Sequence, residues 1–187
     1  MDKLISLIVA GVMIALPAVM QAEPAIQRPF WIRQVTGDDI LVQAAAPGQA
    51  QCFATAAAEN KAAAQVTSAR RAAAGLRPLR PNPKLAEAAA RHACDMAMRG
   101  QMAHRGSASK GPSQRVKGVG YKPAITAENI AAGPFSLEQV LHAWNGSDGH
   151  LRNIMLPQAT DFGIGRAVAA DGRTMFWAAI YAAPRGR

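Results

Sequence analysis

A glutamate stands where a buried strand is expected. Residues 124 to 131 read Ala-Ile-Thr-Ala-Glu-Asn-Ile-Ala, a short β-type run closed by Gly133-Pro134. A carboxylate such as Glu128, once taken out of water, is tolerated only where other groups hydrogen-bond or neutralise it. The fold must therefore bring polar partners to this strand. Two histidines in turn-rich motifs are candidates. His104 lies in Met102-Ala-His-Arg-Gly-Ser, and His150 ends the run Trp144-Asn-Gly-Ser-Asp-Gly-His. Carboxylate and imidazole groups gathered from separate compact motifs point to one shared site.

The surrounding pattern sets the fold class. Thr55 to Ala74 is Ala-rich, lacks Pro and Gly, and stops at Gly75, which predicts a helix. The next helix carries full start and stop signals: Asn82 as N-cap, Pro83 at the first position, Gly100 after the end. Leu85, Ala88, Ala89, His92 and Met96 share one face of it, with Cys94 on the other. Residues 101 to 111 form a loop carrying His104, and Pro112 to Gly118 suit a short helix. Ser136 with Gln139 makes a capping-box pattern for a helix running to about Trp144. Asp161 to Ala169 and Thr174 to Ala182 alternate as strands, joined at Asp171-Gly172 as a hairpin. Helices followed by antiparallel strands give an α+β domain. Upstream, Phe30-Trp31-Ile32 and Ile40-Leu41-Val42 flank Thr36-Gly37-Asp38 and suggest a further hairpin, with Ala45 to Gln51 as a linker.

In order and spacing, a longer set of residues resembles the CAP superfamily of cysteine-rich secretory, antigen 5 and pathogenesis-related proteins, in its short bacterial form. The set is Arg71, Gly75-Leu76, Pro78-Leu79, Leu85, His92-Ala93, Asp95-Met96, His104, Gly120-Tyr121, Ala127-Glu128-Asn129-Ile130-Ala131, Trp144, Ser147 and Gly149-His150. The resemblance covers roughly residues 52 to 187. It implies an α-β-α sandwich with a small antiparallel sheet between helices. It also implies a cleft holding two histidines and two acids. His104, Glu128 and His150 match three of those four positions, while the second acid is replaced by Ser147. Trp144 is expected at the cleft wall.

Two neutral imidazoles and a carboxylate suit a divalent ion such as zinc, and the resemblance implies metal binding through the paired histidines. The metal set would be His104, His150 and Glu128. A purely structural polar cluster is the alternative. Ser147 with His150 and Glu128 invites a hydrolase triad, but the Gly-x-Ser-x-Gly context and an oxyanion hole are missing. His92 reads as a core histidine, and His142 points elsewhere. Gly163-Ile-Gly165 lacks the rest of a nucleotide fingerprint and reads as a strand packed closely against another backbone. The leading reading is a non-catalytic module whose cleft binds a lipid or other small molecule. A metal-assisted hydrolase of peptide or cell-wall material is the second reading. A basic protein binding an anionic envelope polymer is the third.

Composition bears on location and partners. Lys3 followed by the apolar run from Leu4 to Met20 reads as a secretory signal, with cleavage placed after Ala22 and an uncleaved anchor as the alternative. Residues 23 to 51 are then an extension and linker. The expected location is secreted or periplasmic. Asp2 and Lys3 cancel, so the exported part keeps the net charge of +9. Its basic residues are scattered, with no aromatic-basic interleaving, so no nucleic-acid partner is expected. A monomer is expected. Cys52 and Cys94 are an even pair in an oxidising compartment and suit a disulfide, with two buried thiols as the alternative.

Overall fold

A computed structural model describes residues 41 to 186. The signal run and the Phe30-Trp31-Ile32 half of the expected hairpin lie outside the described residues. The elements in chain order are β1 (Val42–Gln43), β2 (Gln51–Cys52), α1 (Ala57–Ala72), β3 (Arg80–Pro81), α2 (Pro83–Arg99) and β4 (Gln101–Met102). There follow α3 (Pro112–Gly118), β5 (Pro123–Gly133), α4 (Leu137–Asn145), α5 (Asp148–Ile154), β6 (Asp161–Val168) and β7 (Met175–Pro184).

The sheet runs β2-β6-β7-β5, with β3 lying parallel beside β6. The β6–β7 hairpin and the long β5–β7 ladder are antiparallel. Alternation along β7 divides the core. Phe176, Ala178, Ile180 and Ala182 pack with Leu85, Ala89, Ala93 and Met96 of α2 and Val116 of α3. Trp177, Ala179 and Tyr181 pack on the opposite face with Ala63 and Ala64 of α1, Val140 and Trp144 of α4, and Ile154 of α5. The result is the expected α-β-α sandwich.

Small residues set the spacing of these layers. A Cβ at Gly163 would run into the backbone of Leu85 and Ala86, and one at Gly165 into that of Ala89 and Ala90. The two strand glycines therefore let α2 lie directly on β6. The ends of α2 follow its sequence signals. The Asn82 side chain accepts from the amides of Lys84 and Leu85, and Gly100 ends the helix in the left-handed conformation at φ 64°. Ser136 and Gln139 form the expected reciprocal cap on α4. Between the short strands β2 and β3, side chains finish the β6 edge. Thr55 donates to the Ile164 carbonyl at 2.7 Å, and Asn60 accepts from its amide at 3.2 Å.

Cys52 and Cys94 form a disulfide, which ties the segment before α1 to α2. The stretch expected to be a linker is more ordered than its composition suggests. β1 pairs with β4, the amides of Ala44 and Ala45 both donate to the Gly100 carbonyl, and Gly48 donates to Met98. Val42 thus pairs with Met102 across the end of α2.

Candidate functional site

β5 is an edge strand, and the site is assembled around that edge. Side chains alternate along it, so Glu128, Ile130 and Ala132 face α2 and α3 while Ala127, Asn129 and Ala131 face α4 and α5. Glu128 is buried, its side chain 1% exposed. One oxygen receives His104 Nδ1 at 2.9 Å, and the other pairs with the Arg115 guanidinium from α3. Nε2 of His92, on α2, lies 3.7 Å from the same carboxylate and 3.0 Å from the Ala103 carbonyl. Arg115 also donates to the His104 carbonyl at 3.0 Å and to Ser109 Oγ at 2.9 Å, so it holds the loop that presents His104.

Burial alone would push the Glu128 carboxyl up. The charge interactions with His92 and Arg115 and the His104 hydrogen bond outweigh it and hold the group well below the usual carboxylate range. His92 is lowered to about 4, mainly by burial, so the ring is neutral at neutral pH. The Arg115 guanidinium is then the operative counter-charge.

His150 belongs to the other layer. Its Nδ1 lies 3.0 Å from Ser147 Oγ, one turn earlier in chain order, and its ring centroid is 6.3 Å from that of Trp144. β5 carries α5 through amides. Asn129 Nδ2 donates to the His150 carbonyl at 3.1 Å, while Asn153 donates to Asn129 Oδ1 at 2.8 Å and to the Glu128 carbonyl at 2.9 Å. His150 is lowered to about 4, first by burial and then by the charge of His104, against an opposing pull from the Ile130 carbonyl. His104 is thus the charged group that His150 senses first, across the β5 edge.

His104 and His150 are the half-buried members of this cluster. Ser147 is 3% exposed and Trp144 is 1% exposed. The tryptophan is packed into the core, and its indole N–H turns inward to the Ile130 carbonyl at 3.4 Å. Ser147 is likewise withdrawn from solvent against His150. A serine relay is not assembled: Ser147 pairs with His150, whereas Glu128 pairs with His104. Among the described residues, no three His, Cys, Asp or Glu side chains are grouped to hold a metal ion. The two oxygens of Glu128 are engaged by His104 and Arg115. His92 joins the cluster as a buried neighbour, and His142 is exposed on the far side of α4.

Arg115 is the member that sequence reasoning missed. A buried carboxylate implies a cation, but 21 lysines and arginines gave no means of choosing one. A groove of about 770 Å³ lies elsewhere, along Phe53, Asn60, Pro83, Ala86 and Ala90 beside the disulfide.

The sheet order and the layers of helices on both of its faces define an α-β-α sandwich of the CAP type, and the sequence matches that class directly. The profile of the cysteine-rich secretory protein family, CAP, matches residues 64–181, and the chain belongs to this family. It is 32% identical over 108 residues to the protein YkwD of Bacillus subtilis, a match covering 58% of this chain and 42% of YkwD. An outer surface protein of Borrelia burgdorferi superposes with a TM-score of 0.61 at 18% identity, over 72% of this chain and all of that one. An extracellular SCP-domain protein of Bacillus anthracis superposes with a TM-score of 0.59 at 22% identity, over 67% of this chain and 40% of that one.

Proposed function

We propose that this chain is an exported, non-catalytic CAP-domain protein that binds a small ligand at the surface presented by His104 and His150. One observation carries this reading. Two imidazoles reach the surface while Glu128, Arg115, Asn129, Asn153 and Ser147 hold them from behind. Orientation of this kind suits recognition. The split between the Ser147–His150 and Glu128–His104 pairs argues against a Ser-His-acid hydrolase, which needs all three groups in series. The disulfide suits an oxidising compartment. The Borrelia and Bacillus anthracis proteins, described as outer-surface and extracellular, agree with export.

The ligand class in this reading is a lipid or other small molecule whose polar end meets the imidazoles. A divalent ion belongs to the same reading only as a two-imidazole complex, with Glu128 orienting His104 rather than ligating. Mass spectrometry of the purified protein for carried ligand, beside zinc titration, tests both arms. Wild type should carry or bind a ligand that His104→Ala with His150→Ala loses while remaining folded. Equal binding by the double variant, or hydrolysis of peptide or cell-wall substrate by wild type, overturns the reading.

A further inference from the structure

Basic residues that are scattered along the sequence converge at one end of the fold. This is the end where β6 and β5 begin and β7 stops. Its loops and helix termini carry Arg77, Arg80, Lys84, Lys117, Lys122 and Arg185, all exposed. Hydrogen bonds place them together. Lys84, in the first turn of α2, donates from Nζ to the Gly120 carbonyl at 2.9 Å. Gly120 in turn donates to the Lys117 carbonyl at 3.0 Å, at the end of α3. The Lys122 carbonyl receives the Arg185 amide at 2.8 Å. Tyr121, between them in sequence, donates to Asp161 Oδ2 at 2.9 Å, and Arg80 donates to Oδ1 of the same carboxylate at 2.9 Å. Arg71 holds the carbonyls of both Arg77 and Ala159, so the Arg77 turn lies beside the start of β6.

Acids do not balance this end. Asp161 is buried and already shared by Arg80 and Tyr121. Glu87, the next acid along α2, is taken by Arg91. Among the described residues, no carboxylate pairs with Arg77, Lys84, Lys117, Lys122 or Arg185. Elsewhere the basic side chains Arg99 and Arg166 are matched, to Asp95 and Glu59. Like charges left unmatched on one face sum to a positive potential that attracts anions.

We propose that this end of the molecule binds an extended polyanion with closely spaced phosphates. The six side chains stand on exposed turns and helix ends, where a single small anion finds no enclosure. A chain of repeated charge engages several of them at once. Half of the six are lysines, whose ammonium groups act as mobile point charges and suit repeated phosphates without a fixed register. A bilayer is a poorer match. Peripheral membrane faces add apolar side chains that enter the acyl boundary. The exposed large apolar residues are Leu41, Val66 and Met98, none of them on these loops, and Tyr121 is buried. The inference is independent of the ligand proposed for His104 and His150.

The test is fluorescence anisotropy of a labelled linear inorganic polyphosphate with the folded protein, repeated over a range of salt. Binding should saturate, and log affinity should fall against log salt with a slope of about −2 or steeper, as expected for three or more phosphates neutralised at about 0.7 each. Raising the salt fourfold should therefore weaken binding roughly twentyfold. Lys117→Glu with Lys122→Glu should weaken it at least about tenfold at low salt. Arg105→Glu with Arg173→Glu makes the same change in net charge. Arg105 follows β4 and Arg173 lies in the β6–β7 turn, so both are exposed at the opposite end. That variant should stay within about twofold of wild type, since screening isolates charges farther apart than about 10 Å. Equal weakening by the two variants assigns the effect to net charge and overturns the proposal. So does a flat salt profile in wild type, which needs no variant to read. Tighter binding to phosphatidylglycerol vesicles than to polyphosphate makes the partner a membrane surface and overturns the polymer.

Discussion

Replacing Glu128 by glutamine removes one charge from a pair that lies almost wholly out of water. The carboxylate side chain is 1% exposed and the guanidinium of Arg115 8% exposed. The charge of Arg115 and the His104 hydrogen bond are among the interactions that hold the Glu128 carboxyl below the usual carboxylate range. Removing one partner of a buried ion pair costs about 3–5 kcal/mol. Glutamine keeps an oxygen for His104 but leaves Arg115 as an unpaired buried cation. Urea unfolding at pH 7 should therefore show Glu128→Gln destabilised by about 3 kcal/mol with an unchanged slope. Arg115→Gln should show a comparable loss. The double variant should cost clearly less than the sum, with a coupling of about 2 kcal/mol, because neither residue is then left as a lone charge. A single-variant loss below about 1 kcal/mol, or strict additivity, would refute the assignment of Arg115 as the counter-charge.

The remaining predictions concern pH, the disulfide and a buried arginine. His92 and His150 are lowered from 6.5 to about 4, so between those values the unfolded chain binds more protons and stability falls as pH drops. Glu128, whose folded pKa is depressed, adds stability above its unfolded pKa that is lost as pH falls from 4.5 toward 2. Melting temperature should decline from about pH 6.5 downward, and a flat profile from pH 7 to 4.5 would contradict the burial of the two imidazoles. The Cys52–Cys94 bond spans 42 residues in sequence, so its reduction should cost about 4 kcal/mol by the chain-entropy model, and thiol labelling of unreduced, unfolded protein should find no free thiol. Arg71 is fully buried and donates to the carbonyls of Arg77, Ile154, Leu156 and Ala159. Arg71→Lys cannot reproduce that planar fork and should cost about 2–3 kcal/mol by calorimetry, whereas near-equal stability would show that a point charge suffices.

The helices with local signals were legible because their ends are written in side chains that act on the nearest backbone. Asn82, Pro83 and Gly100 bound α2 as expected, and Ser136 with Gln139 begins α4. The β6–β7 hairpin was legible from its alternation and the Asp171-Gly172 turn. α5 was not. It is seven residues long, contains Gly149 and has no side-chain cap, so its helicity comes from tertiary hydrogen bonds to β5. β1 pairs with β4 about sixty residues later, a contact that no local pattern encodes, while the local partner expected for it lies outside the described residues. Within the site, His104, Glu128 and His150 were marked by residue type and motif. Their pairing was not, because which acid meets which base depends on the face of β5 each approaches. His92 followed the apolar stripe of α2 and is indeed buried, but the same stripe delivers it to Glu128.

The way the β5 edge is closed explains why buried residues dominate the cluster around His104 and His150. An edge strand leaves outward carbonyls that must be satisfied or exposed. Here the carbonyl of Glu128 takes Asn153, and that of Ile130 takes the Trp144 indole. Asn153 belongs to α5 and Trp144 to α4, so the bonds that protect the edge also dock the two helices framing His150. Asn129 completes the arrangement from within the strand by holding the His150 carbonyl. On the other face, the same residue whose carbonyl anchors Asn153 turns its carboxylate to His104 and Arg115. Edge protection and the placement of both imidazoles are therefore one set of interactions. A substitution at Asn153 or Trp144 should displace His150 without touching it, and one at Arg115 should release the His104 loop through its carbonyl and its carboxylate partner together.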